Sequence, residues 1–330
     1  MRANQTRRRL LSAMAMAGAG LALSAPRLIA AERELESTIL RLAKIPAICL
    51  APQYVADELL RAEGFTEIRY VDGDFGTLPE DLGRGMFDFA ASFAPQHIAA
   101  IDAGGQITVV SGLHVGCVEL FAREGIHGIS DLKGKRVGLT GMPELIAMMA
   151  AYVGLNPKKD FTWVTDPKAA PLELFSQGKL DAYLALPPEP QELHARGVGH
   201  PIVRTATDPP WSQYFCCVLA GNRKYVARHP VATKRVIRAL YKAADLCASE
   251  PEQVARRLID GGFTQRYDYA LQTLNENPYG HWRDYDAEDS MRFYALRLHE
   301  LGMIKKTPQR IIAEGTEWRP LNELKRELKT

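Results

Sequence analysis

Ile129-Ser130-Asp131-Leu132-Lys133-Gly134-Lys135-Arg136-Val137-Gly138 is the stretch from which the fold can be read. Ser130 and Asp131 belong to a capped turn, Lys133-Gly134-Lys135 to a charged connection, and Arg136–Leu139 to a short strand running into Thr140-Gly141-Met142-Pro143. Proline lacks an N–H and is pre-set for the first position of a helix, so Pro143 opens a helix to Val153 that Gly154 ends. Turn, strand, loop and Pro-led helix in this order are part of a parallel α/β layer. The charges have a simple local role as a solvated turn, which Lys, Gly and Asp favour. The segment therefore points to a fold and not to a site.

Outward from it the same alternation continues. Upstream, Thr38–Leu42 predicts a strand, Ile45–Ala51 a loop, and Pro52–Ala62 a helix with Gly64 just beyond its end. Strand Glu67–Val71, helix Leu78–Arg84, strand Phe87–Ala91, helix Pro95–Ala103 and strand Ile107–Ser111 follow, and Val115–Arg123 predicts one further strand. Downstream come helix Ala169–Gln177, strand Asp181–Leu186, helix Glu189–Arg196, and strands Ile202–Thr205 and Tyr214–Leu219. Short strands alternating with helices imply a mostly parallel sheet covered on both faces. Beyond Leu219 the pattern is helical: Lys224–Arg228, Val231–Ser249, Pro251–Ile259, Tyr267–Asn275 and Ala287–Leu301, with Val236, Leu240, Ala243 and Ala244 at helical spacing.

The N-terminus carries an address. Thr6-Arg7-Arg8-Arg9-Leu10-Leu11 places paired arginines before the uncharged, Ala- and Gly-rich run Leu10–Leu23, and Ile29-Ala30-Ala31 offers small residues for cleavage. That order reads as a twin-arginine export signal over residues 1–31. The apolar run falls short of the ~20 residues a membrane-spanning helix needs. The signal holds five of the 41 Lys and Arg residues and none of the 39 acids, so its removal turns a net charge of +2 slightly negative. A near-balanced surface argues against a nucleic-acid partner. The remaining ~300 residues suffice for two lobes. Five cysteines, Cys49, Cys117, Cys216, Cys217 and Cys247, show no framework spacing, and at most one disulfide is expected.

Several segments together are similar to the periplasmic substrate-binding proteins of the nitrate, sulfonate and taurine type, a group that also contains the pyrimidine-synthase-like proteins of thiamin metabolism. The Asp131–Gly138 stretch resembles the segment that begins their second lobe. Phe175-Ser176-Gln177-Gly178-Lys179-Leu180-Asp181-Ala182, Tyr225-Val226-Ala227-Arg228-His229-Pro230 and Leu298-His299-Glu300-Leu301-Gly302-Met303-Ile304 resemble further family segments. The likeness covers nearly all of Thr38–Ile312. It implies an α/β, two-lobed periplasmic-binding-protein type II fold with mixed, mostly parallel sheets joined by two hinge strands, crossing near Leu113–Val118 and Tyr214–Leu219. Residues 32–114 plus 220–330 are then lobe 1 and residues 115–219 lobe 2. The implied function is capture of a small organic or anionic solute between the lobes and its delivery to an ABC transporter permease, by a periplasmic monomer without catalysis or cofactor. A pyrimidine-synthase-like enzyme or pyrimidine-precursor-binding protein is the alternative, since Phe215-Cys216-Cys217 lies where those relatives carry a longer cysteine-rich run.

Ligands of open α/β sheets sit beyond the carboxyl ends of the strands. That rule selects Tyr54, Ser92, Phe93, His114, Thr140, Gly141, Met142, Glu144, Glu189, Trp211, Gln213 and Tyr214 as candidate ligand-binding residues. Ser92 and Thr140 precede helix starts, where a hydroxyl either caps the helix or meets a ligand. The aromatic residues are core or pocket wall, and Glu144 and Glu189 either serve the helix dipole or meet a polar part of the solute. Arg123 and Arg204 lie outside these loops, so no guanidinium clamp for an inorganic or sulfonate anion is visible; a larger, partly aromatic solute fits better. Nucleophile-elbow, Walker-loop and paired Cys-x-x-Cys patterns are absent, and His194 and His200 have no acid or thiol between them to support a metal. Cys216 and Cys217, as strand neighbours, should point to opposite faces of their sheet.

Overall fold

Among the described residues, ten short strands form two five-stranded sheets laid out on the same plan. They are β1 (Ile39–Lys44), β2 (Glu67–Asp72), β3 (Phe89–Phe93), β4 (Ile107–Val115), β5 (Glu119–Ala122), β6 (Arg136–Gly138), β7 (Thr162–Val164), β8 (Ala182–Ala185), β9 (His200–Arg204) and β10 (Phe215–Asn222). The computed structural model describes residues 33–45, 47–139, 142–166 and 169–327; the signal read at 1–31 lies outside them, as do Thr140 and Gly141. Sheet A runs β2-β1-β3-β10-β4 and sheet B β7-β6-β8-β5-β9. In A only β10 runs opposite to the other four strands, and in B only β5. Each of these two strands is the one the chain lays down just after crossing from the other sheet. The α/β class and two-lobed arrangement follow from this topology.

Composition accounts for the interior strands. β3 and β4 are buried at every position, as strands covered on both faces by helices must be, and both read as near-continuous apolar runs. In each sheet an Arg and an Asp fasten two neighbouring parallel strands, β1 to β3 in sheet A and β6 to β8 in sheet B. Asp88 accepts the Arg41 backbone N–H at 2.8 Å and pairs with its guanidinium at 2.7 Å. In sheet B, Asp181 does the same for Arg136 at 2.8 and 2.7 Å. The guanidiniums also donate to the carbonyls of Gly85 (2.8 Å) and Gly178 (2.9 Å), residues in the left-handed region that end the preceding helical turns. Helix Pro230–Ser249 buries Val236, Ile237, Leu240, Ala243 and Ala244. The buried Glu63 carboxylate holds it through Arg238 (2.9 Å) and Lys242 (2.9 Å).

Three local expectations change. The strand predicted over Val115–Arg123 is broken, because Gly116 (φ +78°) and Cys117 (φ +99°) turn the chain out of the extended region between β4 and β5. The helix predicted over Pro52–Ala62 is two pieces, Ala51–Tyr54 and Asp57–Ala62. β7 was not foreseen: its Thr-Trp-Val is too short to show a period and is fixed by pairing with β6. Nor were helices Pro308–Gly315 and Arg319–Glu327, which close the chain against β4 through the Glu317 N–H to Val109 carbonyl bond of 2.9 Å.

The two crossing segments, 116–118 and 205–214, touch one another. Thr205 Oγ donates to the Val118 carbonyl at 2.8 Å and accepts the Val118 N–H at 3.1 Å. A Cβ on Gly116 would lie 2.5 Å from Ala206 Cα and 2.9 Å from its backbone N. Gly116→Ala is therefore expected to lose about 2–3 kcal/mol of stability, seen as a lower urea midpoint at unchanged slope. Gly125 also has positive φ (+84°) but nothing within 4 Å of an added Cβ, so Gly125→Ala should cost only about 1 kcal/mol. Equal losses in the two variants would show that contact between the crossings is unimportant.

Candidate functional site

The carboxyl ends of β1 and β3 are shaped by two buried side chains. Gln53 donates to the Ala43 carbonyl at 2.7 Å and accepts the Ala91 N–H at 3.0 Å, which ties the loop after β1 to β3. Tyr54 donates to the Ile45 carbonyl at 2.5 Å and stacks on Phe263 with ring centroids 4.4 Å apart. Burial pushes its phenol pKa well up. Tyr54 thus lies beneath the loop it supports. Ser92 and Phe93, at the end of β3, open helix Ala94–Asp102, and Ser92 Oγ donates to Gln96 Oε1 at 3.0 Å.

Loops from both sheets meet at a cavity of about 10 Å³, room for about one water. From sheet A and its loops come Ile45, Ala47, Cys49, Leu50, Ser92 and Phe93; from the sheet B side come Met142 and Leu186; Cys117, Cys216 and Cys217 form its floor at the crossings. Of the candidates named from sequence, Ser92, Phe93 and Met142 share this cavity. His114 lies beside its floor, its ring 5.6 Å edge-on to Tyr279, whose hydroxyl donates to the Cys49 carbonyl at 2.9 Å.

The remaining candidates lie elsewhere. Tyr214 stacks on Phe293 at 3.9 Å, and buried Trp211 meets the same ring at 6.1 Å. Phe293 packs on Tyr294, and Tyr294 on Phe93 at 6.0 Å, so these aromatics reach the cavity only through a chain of rings. Gln213 is exposed. Glu144 is in the first turn of helix Pro143–Tyr152, where burial raises its carboxyl pKa and leaves Oε2 without a hydrogen-bond partner. Glu189, at the start of helix Glu189–Arg196, accepts the Leu186 N–H at 3.2 Å; burial drives its pKa up to about 7 against that bond.

Two features were missed in the sequence. One is a larger pocket of about 430 Å³ bordering both crossings, where Glu119, His194, Arg204, Gln191 and Glu276 meet. Glu119 holds His194 at 2.9 Å and Arg204 at 3.4 Å, while burial raises its pKa against their pull. The other is a group of buried thiols. The Sγ atoms of Cys117 and Cys216 are 3.6 Å apart, and one potential donor atom from each of Cys49, His114, Cys117 and Cys217 lies within 4.8 Å of the others. Cys216 and Cys217 both reach Cys117, contrary to the strand alternation expected of them, because the β10–β4 register is irregular on both sides of Cys217. Burial alone would lower the His114 pKa, but its Cys49 neighbour turns the shift upward. The signal for this group was available as a His-x-x-Cys at the first crossing and a Cys-Cys at the second, once the crossings were known to lie side by side.

The overall structure has close counterparts among solved proteins. The alkanesulfonate-binding protein SsuA from Xanthomonas axonopodis pv. citri, bound to MOPS, is 18% identical with a TM-score of 0.69, covering 86% of this chain and 100% of that one. The periplasmic nitrate-binding protein NrtA from Synechocystis PCC 6803 is 16% identical with a TM-score of 0.75, covering 90% of each chain. The periplasmic aliphatic sulphonate binding protein SsuA from Escherichia coli is 18% identical with a TM-score of 0.67, covering 83% of this chain and 91% of that one. At such identities the likeness establishes the fold, that of the two-lobed periplasmic binding proteins. No curated protein matches at the sequence level. The profile described as NMT1/THI5 like matches residues 61–254, more than half of the 330-residue sequence, and the chain belongs to the NMT1/THI5-like family.

Proposed function

We propose that this chain is a periplasmic solute receptor that passes a small organic solute to an ABC importer and performs no chemistry on it. Residues 1–31 direct export by the twin-arginine route; 32–114 with 220–330 form one lobe and 115–219 the other. The observation that carries this reading is the cavity between the two sheets, lined from both sides and too small for anything beyond about one water. A solute enters only when the lobes part, and closure upon it gives the differential contacts that stabilise the bound state. Ser92, Phe93 and Met142 are its contacts. The lining contains no Arg or Lys among the described residues, which favours an organic, partly apolar solute over a simple inorganic anion.

A thermal-shift screen across alkanesulfonates, taurine, nitrate, aromatic acids and pyrimidine precursors tests the proposal. A true solute at ~100 times its Kd adds roughly 2.7 kcal/mol, a rise in Tm of roughly 5 °C or more. Leu186→Trp, which props the cavity open, should abolish that rise while leaving the unliganded Tm within a few degrees. A solute-induced rise that survives the substitution would place binding elsewhere.

The buried Glu189 carboxyl gives this side of the cleft a pH response. Its pKa is near 7 in the folded chain and near 4.5 when exposed, so the folded state holds an extra proton between these values. The associated stability is fully present below about pH 4.5 and is lost as pH rises through 7, by roughly 3 kcal/mol. Glu189→Gln should leave Tm unchanged near pH 4.5 and raise it by several degrees at pH 8, measured by calorimetry. A shift of equal size at both pH values would refute the assignment.

A further inference from the structure

We propose that Cys49, His114, Cys117 and Cys217 hold one thiophilic metal ion of filled d shell, Zn(II) or Cu(I), in a closed site at the floor of the cleft. Their ligand atoms lie within 4.8 Å of one another. Around a tetrahedral ion, with sulfur at ~2.3 Å and nitrogen at ~2.0–2.1 Å, ligand atoms stand ~3.5–3.8 Å apart. Inward movements of about an ångström suffice to close the shell. Three sulfurs and an imidazole select zinc or cuprous copper over the oxygen-seeking Ca(II) and Mg(II).

Two further observations point to a ligand. His114 is 1% exposed, and its Nε2 has no hydrogen-bond partner, a state that costs free energy unless something fills it. Its Nδ1 lies 3.4 Å from the Val115 carbonyl, the type of outer partner that orients a metal-binding histidine.

The four ligands come from the loop after β1, the end of β4, the first crossing and β10, so the ion would fasten the loop and the first crossing to β4 and β10. Cys216, 3.6 Å from Cys117, makes a Cys117–Cys216 disulfide the competing use of the same thiols. The metal assignment does not depend on the receptor reading, because its test measures metal and not solute.

The purified full chain, reduced, stripped with chelator and handled without oxygen, is titrated with Co(II) and Zn(II), and separately with Cu(I). The expected result is one ion per chain, with tetrahedral cobalt–thiolate absorption that Zn(II) abolishes. Cys49→Ser and Cys217→Ser should each weaken binding about tenfold or more, and Cys247→Ser, in helix Pro230–Ser249 away from the cluster, should not. If the serine variants fail to fold, alkylation mapping on the unaltered chain decides, with Cys49, Cys117 and Cys217 protected in the loaded form and labelled in the stripped form. Absence of stoichiometric binding by any of these metals, equal labelling in both forms, or a thiol count two short of the five cysteines in freshly isolated denatured protein would overturn the proposal.

Discussion

The structure depends on two extended segments lying side by side where the chain passes between sheets. Thr205 brackets the Val118 peptide with two hydrogen bonds, and Gly116 lies against Ala206 with no space for a side chain. Each crossing then delivers the strand that runs against its neighbours, β5 in one sheet and β10 in the other. Sheet A is complete only after the chain has laid down β5–β9 of sheet B and returned. The hydrogen-bond ladders stay within each sheet, so the lobes are joined by the short segments 116–118 and 205–214, which belong to no ladder and on which relative motion falls.

The sheets themselves answer one problem twice. A parallel pair has no hairpin to set its register, so another interaction must align β1 with β3 and β6 with β8. Gly85-Met86-Phe87-Asp88 and Gly178-Lys179-Leu180-Asp181 do so by the same means. The glycine ends a helical turn at positive φ, the third residue (Phe87 or Leu180) is fully buried, and the aspartate receives the backbone and guanidinium of an arginine on β1 or β6. Arg136 lowers the Asp181 pKa through this hydrogen bond. A slip of β3 or β8 by one residue would both expose the buried apolar side chain and release the carboxylate.

Alternation of strands and helices was legible from Thr38 to Asn222 because most elements carry a local signal: Pro at a helix start, Gly after its end, an apolar run in a buried strand. What escaped was set by distant partners. The turn at Gly116 and Cys117 exists because the second crossing packs there, and no periodicity announces it. Tyr54 and Trp211 occupy cleft-side loops in sequence, yet Phe263 and Phe293, more than eighty residues away along the chain in Trp211's case and further still for Tyr54, draw their rings into packing. Ser92, Phe93 and Met142 were placed by the general rule that cavities open at strand ends, a property of topology that survives such local surprises.

Cys117 lines both the small apolar cavity and the pocket of about 430 Å³, so the two spaces meet at the first crossing. Their linings are chemically unlike. The small cavity is walled by apolar side chains, thiols and Ser92, and the larger pocket gathers Glu119, His194, Arg204 and Glu276. Taking water from the first costs little, because its groups hydrate weakly, whereas drying the second takes charged groups out of water, and carboxylates resist that. An apolar guest is therefore matched to the first space and a polar one to the second, although one cysteine borders both.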